Sequence, residues 1–137
     1  MTHPSTAQVG DRLHEHRFGP ITRTTLALYA GASQDHNPIH VDTDFAAKAG
    51  LDDVFAHGML SMAQLGRLVS DWAGQDNLCN LSTRFTAITP VGATVTCTGE
   101  VIERSRRDRE TMLKIDLKAT IDDGTVTLTG SALVRAA

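Results

Sequence analysis

Gly58-Met59-Leu60-Ser61-Met62-Ala63-Gln64-Leu65-Gly66-Arg67-Leu68-Val69-Ser70-Asp71-Trp72-Ala73 is the stretch whose reading decides the architecture. Met59, Leu60, Met62, Ala63, Leu65, Leu68, Val69 and Trp72 spread round the helical wheel instead of forming one narrow stripe, so the spacing predicts a largely buried helix over about 58–73. Gly66 inside it costs about 1 kcal/mol relative to alanine, which points to close packing against a neighbouring backbone. After Gly74 the period changes from helical to two. Leu113, Ile115, Leu117, Ala119 and Ile121 alternate with Lys114, Asp116, Lys118 and Thr120. Val126, Leu128, Ala132 and Val134 repeat the pattern beyond Asp122-Asp123-Gly124, which predicts a hairpin. Runs over about 78–88 and 94–103 supply two more strands, and a short one is expected over about 13–18. The sum is an α+β chain: an antiparallel sheet of about five strands wrapped around one central helix.

Ahead of that helix, Thr22 is placed to cap a helix running to about Ala32, with Ile21 and Leu26 as a hydrophobic staple. A short helix follows Asp42 and ends near Gly50, leaving a loop over 51–57. Between the two helices lies Asp35-His36-Asn37-Pro38-Ile39-His40, a carboxylate and an imidazole five residues apart on a turn-forming segment. Such a pair can hold and activate one water, because the imidazole titrates near neutrality and a carboxylate orients it. A second reading of the same residues is purely structural, with Asp35 and Asn37 capping a turn ahead of Pro38. Ala56-His57-Gly58 opens the central helix, where a glycine lets a ligand oxygen approach a free amide in the positive field of the helix. There too a plain reading stands beside it: Gly58 allows a tight turn, and His57 is a buried structural histidine.

Size and charge narrow the classes. A chain of 137 residues suits one domain, 1–137, and is too short for two ordinary ones. With 41% hydrophobic and 21% charged residues it is globular in composition, and a formal charge of -3 lacks the basic excess of a nucleic-acid binder. No run approaches the roughly 20 apolar residues of a membrane span, and Met1-Thr2-His3-Pro4 has no charged stretch leading into an apolar one, so a cytoplasmic address is the expectation. Cys79 and Cys97 have neither metal nor redox spacing and are expected as small buried hydrophobes. His14-Glu15-His16 and His36 with His40 invite a metal, yet no third ligand completes a site and Pro38 works against a helix that would align the second pair; no metal is expected. Arg104, Arg106, Arg107 and Arg109 suit phosphates, but Glu103, Asp108 and Glu110 are interleaved, which favours a solvated hairpin turn between two strands.

Taken together, Tyr29, the small residues Ala30-Gly31-Ala32-Ser33, the Asp35-x-Asn37-Pro38-Ile39-His40 pattern and Ala56-His57-Gly58 resemble the signature of the MaoC-like family of hydratases and dehydratases. Val9-Gly10-Asp11, Arg84-Phe85-Thr86 and Thr89-Pro90-Val91 extend the likeness over nearly the whole chain. One departure is Gln34, where the family usually has glycine. The resemblance implies a hot-dog fold and reversible hydration of trans-2-enoyl thioesters of coenzyme A or acyl carrier protein to (3R)-3-hydroxyacyl products. It further implies water held between Asp35 and His40, Gly58 as oxyanion donor, Asn37 and His57 in substrate binding and orientation, and no cofactor beyond the coenzyme A or phosphopantetheine of the substrate. Its rivals are a hot-dog acyl thioesterase and a non-catalytic or paired subunit of a heteromeric dehydratase. A lone sheet of this kind leaves an edge and a face uncovered, so a dimer is the expected minimum, a homodimer first and a heterodimer as the alternative.

Overall fold

The computed structural model describes residues 2–137; Met1, part of the chain start considered above, lies outside the described residues. Thr22, extended at φ -110 and ψ 160, accepts a hydrogen bond from the Thr25 amide and starts helix α1 (Arg23–Ser33). Ile21 and Leu26, its staple, are both buried. Asp42 caps α2 (Thr43–Lys48) by accepting from the Asp44 and Phe45 amides. The central helix α3 runs Gly58–Ala73, and the strands are β1 (His16–Phe18), β2 (Leu78–Phe85), β3 (Val95–Arg107), β4 (Glu110–Thr120) and β5 (Val126–Arg135). All strand pairs are antiparallel in the order β1-β3-β4-β5-β2.

Alternation along β4 shows why the sheet has one dry face. Leu113, Ile115, Leu117 and Ala119 point inward and are at most 1% exposed, while Lys114, Asp116 and Lys118 stand outside. Leu65 and Val69 of α3, both fully buried, belong to the same core as these residues and Val95, Cys97, Val101, Leu128 and Val134. Burying a side chain of this size contributes about 1.5–3 kcal/mol, so each of these residues stabilises the seating of α3 on the sheet. A five-stranded antiparallel sheet curled over one helix is the hot-dog arrangement.

Several details differ from the sequence reading. Strand β1 begins at His16 and not at Leu13, because the five residues from Arg12 to His16 face the four from Glu100 to Cys97 and the extra residue breaks the ladder. Strand β2 stops at Phe85 and does not reach Ile88, since the Thr86 and Ala87 amides both turn to the Thr127 carbonyl. Strand β3 extends to Arg107, so Arg104, Arg106 and Arg107 lie within a strand and the turn itself is Asp108-Arg109, with φ 48 and 71. Helix α3 is less enclosed than its composition predicts: Leu60, Ser61, Leu65, Leu68, Val69 and Ala73 are buried, while Met59, Ala63, Arg67 and Asp71 form an exposed stripe at four-residue spacing. Finally, Gly66 packs against a side chain and not a backbone, with a Cβ there falling 3.2 Å from Leu81 Cδ2.

Cys97 is buried as expected, its thiol pushed up to about 12 by burial, whereas Cys79 is exposed on β2. Two glycines make a paired prediction. A Cβ on Gly130 in β5 would overlap the Ser82 carbonyl oxygen of β2, and backbone cannot yield without opening the sheet. Gly130→Ala is expected to destabilise the chain by about 1–3 kcal/mol, read from urea midpoints. Gly66→Ala meets only the tip of Leu81 and gains helix propensity, so its change should stay within about 1 kcal/mol.

Candidate active site

Three chain segments meet at the N-terminal end of α3. The first is the turn after α1, where Gln34 adopts the left-handed conformation at φ 61 and ends the helix. That conformation is the one glycine takes most easily, so the glutamine keeps the same turn at the cost of some backbone strain. Beyond it the Asp35 amide donates to Ser33 Oγ, the Asn37 amide donates to Asp35 Oδ1 at 3.2 Å, and the Ile39 amide donates to Asn37 Oδ1 at 3.1 Å. These Asx-type bonds hold the carboxylate of Asp35 in the open and start a single 3-10 turn, Pro38–His40. Asn37 thereby has the turn-forming role read from the sequence.

The second segment is the loop 51–57. Arg23 of α1 grips it with a two-pronged pair to Asp53, at 2.8 and 3.2 Å, and the guanidinium holds the Asp53 carboxyl below its ordinary value. Further along, the Ala56 amide donates to the Thr89 carbonyl and Phe55 bridges to Pro90, so the loop is laid against the strand connection that precedes β3. Phe55 has a second task. His40 Nδ1 lies 2.7 Å from the Phe55 carbonyl, and since a carbonyl only accepts, that nitrogen carries the hydrogen and Nε2 keeps its lone pair.

The third segment is the start of α3 itself. His57, the N-cap residue, makes no side-chain capping bond. Its Nε2 instead donates to the Asp35 carbonyl at 3.1 Å, and its ring stacks on His40 with centroids 4.0 Å apart and planes inclined 29°. The Tyr29 ring is T-shaped to it, with centroids 4.8 Å apart. His40 is 8% exposed and His57 1%, whereas Asp35, Asn37 and Gly58 are exposed. One carboxylate oxygen of Asp35 and one ring nitrogen each of His40 and His57 lie within 4.8 Å of one another, a span one water can bridge with two hydrogen bonds of ~2.8 Å. Burial, more than the neighbouring His40, lowers the His57 pKa, while burial and then the Asp35 charge raise that of the Tyr29 phenol.

Beside these groups runs an apolar groove of about 390 Å³, lined among others by Phe55, Gly58, Met59, Phe85, Ile88 and Leu128. Met59, Phe85 and Ile88 are each about half exposed there, a concentration of large apolar side chains typical of a binding surface. A comparable hollow lined by Arg12, Glu15, Glu100, Asp116 and Lys118 contains none of the residues named at the N-terminus of α3. From the sequence Phe85 reads first as a packing residue, with bordering an acyl tunnel as the alternative, and the structure sets it in the groove lining. A Cβ on Gly58 would fall 2.7 Å from Phe85 Cε1, so close packing against this ring also requires glycine at position 58. The Phe55 carbonyl was not legible, because backbone groups leave no mark on residue type.

The arginines stand apart. Arg104 pairs across the sheet with Leu113, and Phe85 pairs through Leu128 with Ala119. Six residues of β4 separate the two, about 20 Å. Arg104 also donates to the carbonyls of Ala7 and Ser5. His14 and His36 are exposed, and His16 is bonded to Gln64 Oε1 at 2.6 Å.

Comparison with known proteins identifies the family and the fold. The model of the family described as MaoC like domain matches residues 5–123. The chain is 38% identical over 63 residues to the mitochondrial 3-hydroxyacyl acyl-carrier-protein dehydratase of Arabidopsis thaliana, covering 46% of this chain and 37% of that protein. It is 31% identical over 102 residues to 3-hydroxyacyl-thioester dehydratase Z of Mycobacterium tuberculosis, covering 70% of this chain and 68% of that one. The alignment thus spans little more than a third of the plant relative. Among solved structures, the unliganded R-hydratase of Pseudomonas aeruginosa superposes with a TM-score of 0.85 at 25% identity, over 96% of this chain and 83% of that one.

The buried state of His57 has a measurable consequence. A histidine whose pKa is lower folded than unfolded takes up its proton first in the unfolded chain. Its contribution to stability is complete above about pH 6.5 and declines as pH falls from there toward the folded-state value. The urea midpoint of the native chain is therefore expected to fall between pH 8 and pH 5.5 by more than that of His57→Gln.

Proposed function

This chain belongs to the MaoC-like domain family, and from that premise we propose that it reversibly adds water to trans-2-enoyl thioesters, giving (3R)-3-hydroxyacyl thioesters. The observation that carries the reading is the closeness of an exposed Asp35 carboxylate to His40, whose Nδ1 is committed to the Phe55 carbonyl and whose Nε2 is free to exchange a proton. Water held by this pair loses a proton as its oxygen bonds to the β carbon. The electron pair of the double bond moves toward the thioester oxygen, where negative charge develops, and returns as the α carbon takes a proton from the pair. We assign the donor for that oxygen to the amide of Gly58, the first residue of a 16-residue helix whose opening amides have no acceptor within the helix. Asn37 holds the dyad turn and lies at its exposed side, beside the incoming thioester.

The apolar groove takes the acyl part or the thioester arm. Coenzyme A is the first choice of carrier and acyl carrier protein the second. The chemistry requires only side chains and an amide, and we assign no metal or organic cofactor. Asp35, Met59, Phe85 and Ile88 are open on the outer side of the chain, and β2 has a partner only in β5. Both features support a dimer that covers them, each 1–137 chain acting as one hot-dog unit in the cytoplasm.

Asp35→Asn and His40→Ala are each expected to lower turnover of an enoyl-CoA about 100-fold to 10,000-fold, with the fold retained by circular dichroism and the double variant little worse than either single one. Hydration is followed by loss of enoyl absorbance and by the chirality of the product. Near-native rates in either folded variant would remove the dyad from the mechanism.

Gly58→Val tests the oxyanion role, with an expected loss of about 100-fold. Because the added bulk also strikes Phe85, the same substitution is to be made with Phe85→Leu. Recovery in the double variant would assign Gly58 to packing; a persistent loss supports the amide.

A further inference from the structure

His57 has one ring nitrogen bonded and one bare, and the arrangement leaves little freedom in which is which. Its Nε2 faces the Asp35 carbonyl, which can only accept, so the hydrogen sits on Nε2. Nδ1 is buried with no hydrogen-bond partner among the described residues. A second proton on Nδ1 would create a cation with no acceptor, 1% exposed and stacked at 4.0 Å on the imidazole of His40. Burying an unpaired charge is strongly unfavourable, and the proposed reaction itself requires His40 to carry positive charge in passing. The titratable groups that face His57 are Tyr29 on α1, Asp35 on the turn and His40 on the 3-10 turn. Of these only Asp35 has a carboxyl side chain, and the bond from His57 goes to its backbone carbonyl and not to that carboxyl.

We propose that His57 is a positioning residue for the reaction, a permanently neutral imidazole that fixes the backbone of Asp35 with one face-on neighbour, His40, held flat against it. This rests on the Asp35 and His40 reading given above. In one ring the chain joins both members of the dyad: the donor end sets where the Asp35 peptide lies, and the stacked face sets the plane in which His40 turns. At 1% exposure, with the rings of Tyr29 and His40 against it, His57 offers almost no surface to a substrate. Being neutral, it also leaves His40 the only one of the two rings that gains charge, so the stack does not compete for the proton being moved.

The test has two arms. In the native protein, long-range proton–nitrogen spectra of the histidine rings report tautomer and charge directly. His57 should keep its hydrogen on Nε2 and stay neutral from pH 8 to pH 5.5. Titration near pH 6.5, or a hydrogen on Nδ1, overturns the proposal. In the kinetic arm, His57→Phe keeps a flat ring and loses the donor, while His57→Gln keeps a donor at the reach of Nε2. The first should lower kcat about 10-fold to 100-fold with KM within about twofold, and the second should recover most of the loss. A raised KM at unchanged kcat would make His57 a substrate contact and overturn the idea. Should His57→Phe not fold, the spectra of the native chain decide alone. Should the native protein hydrate no enoyl thioester, the proposed function falls, and a titrating His57 in the same spectra would separately remove the neutral imidazole.

Discussion

The position at which the N-terminus of α3 is held governs everything around it. Beside the Arg23–Asp53 pair, two contacts hold it to the sheet connection, the Phe55 bridge to Pro90 and the bond from the Ala56 amide to the Thr89 carbonyl. They tie the loop 51–57 to the connection between β2 and β3, and so to a sheet whose register is fixed by the inward set of β4. Once this anchor is in place, His57 and Gly58 have no choice of location, and the 35–40 turn is drawn to them by two ring nitrogens bonded to backbone carbonyls. The order of dependence runs from core to site: alternation sets the sheet, the sheet sets the loop, and the loop sets the histidines.

The two histidines also illustrate how hydrogen bonds to carbonyls allocate chemistry. His40 and His57 are the same residue type in one stack, yet the first turns Nδ1 to a carbonyl and the second Nε2. The bare nitrogen of His40 thus belongs to a ring beside the exposed Asp35 carboxylate, while the bare nitrogen of His57 lies in the interior.

Much of this was legible in the sequence, for identifiable reasons. The long periodic segments, α3 and the β4–β5 hairpin, were found because many residues vote on one period, and the caps Thr22 and Asp42 because a short polar side chain before an apolar run has a specific job. The limits of β1, β2 and β3 were missed because strand ends are decided by which carbonyl an amide finds, as where Thr86 and Ala87 share Thr127. Asp35, His40 and Gly58 could be named from spacing and resemblance. Their actual separation, the Phe55 carbonyl and the ring of Phe85 over Gly58 depend on segments brought together only by folding, and no local pattern announces them.

Gln34 has a consequence of another kind. A glutamine at φ 61 is less stable than a glycine there by roughly 1 kcal/mol, so evolution could have relaxed this turn with a single change. A glycine would also widen the conformations open to the peptide next to Asp35, in the unfolded chain and in transient openings of the folded one. The glutamine thus exchanges folding free energy for stiffness one residue from the carboxylate. Robustness and preorganisation pull in opposite directions at this turn, and the chain has settled on the stiffer, less stable choice.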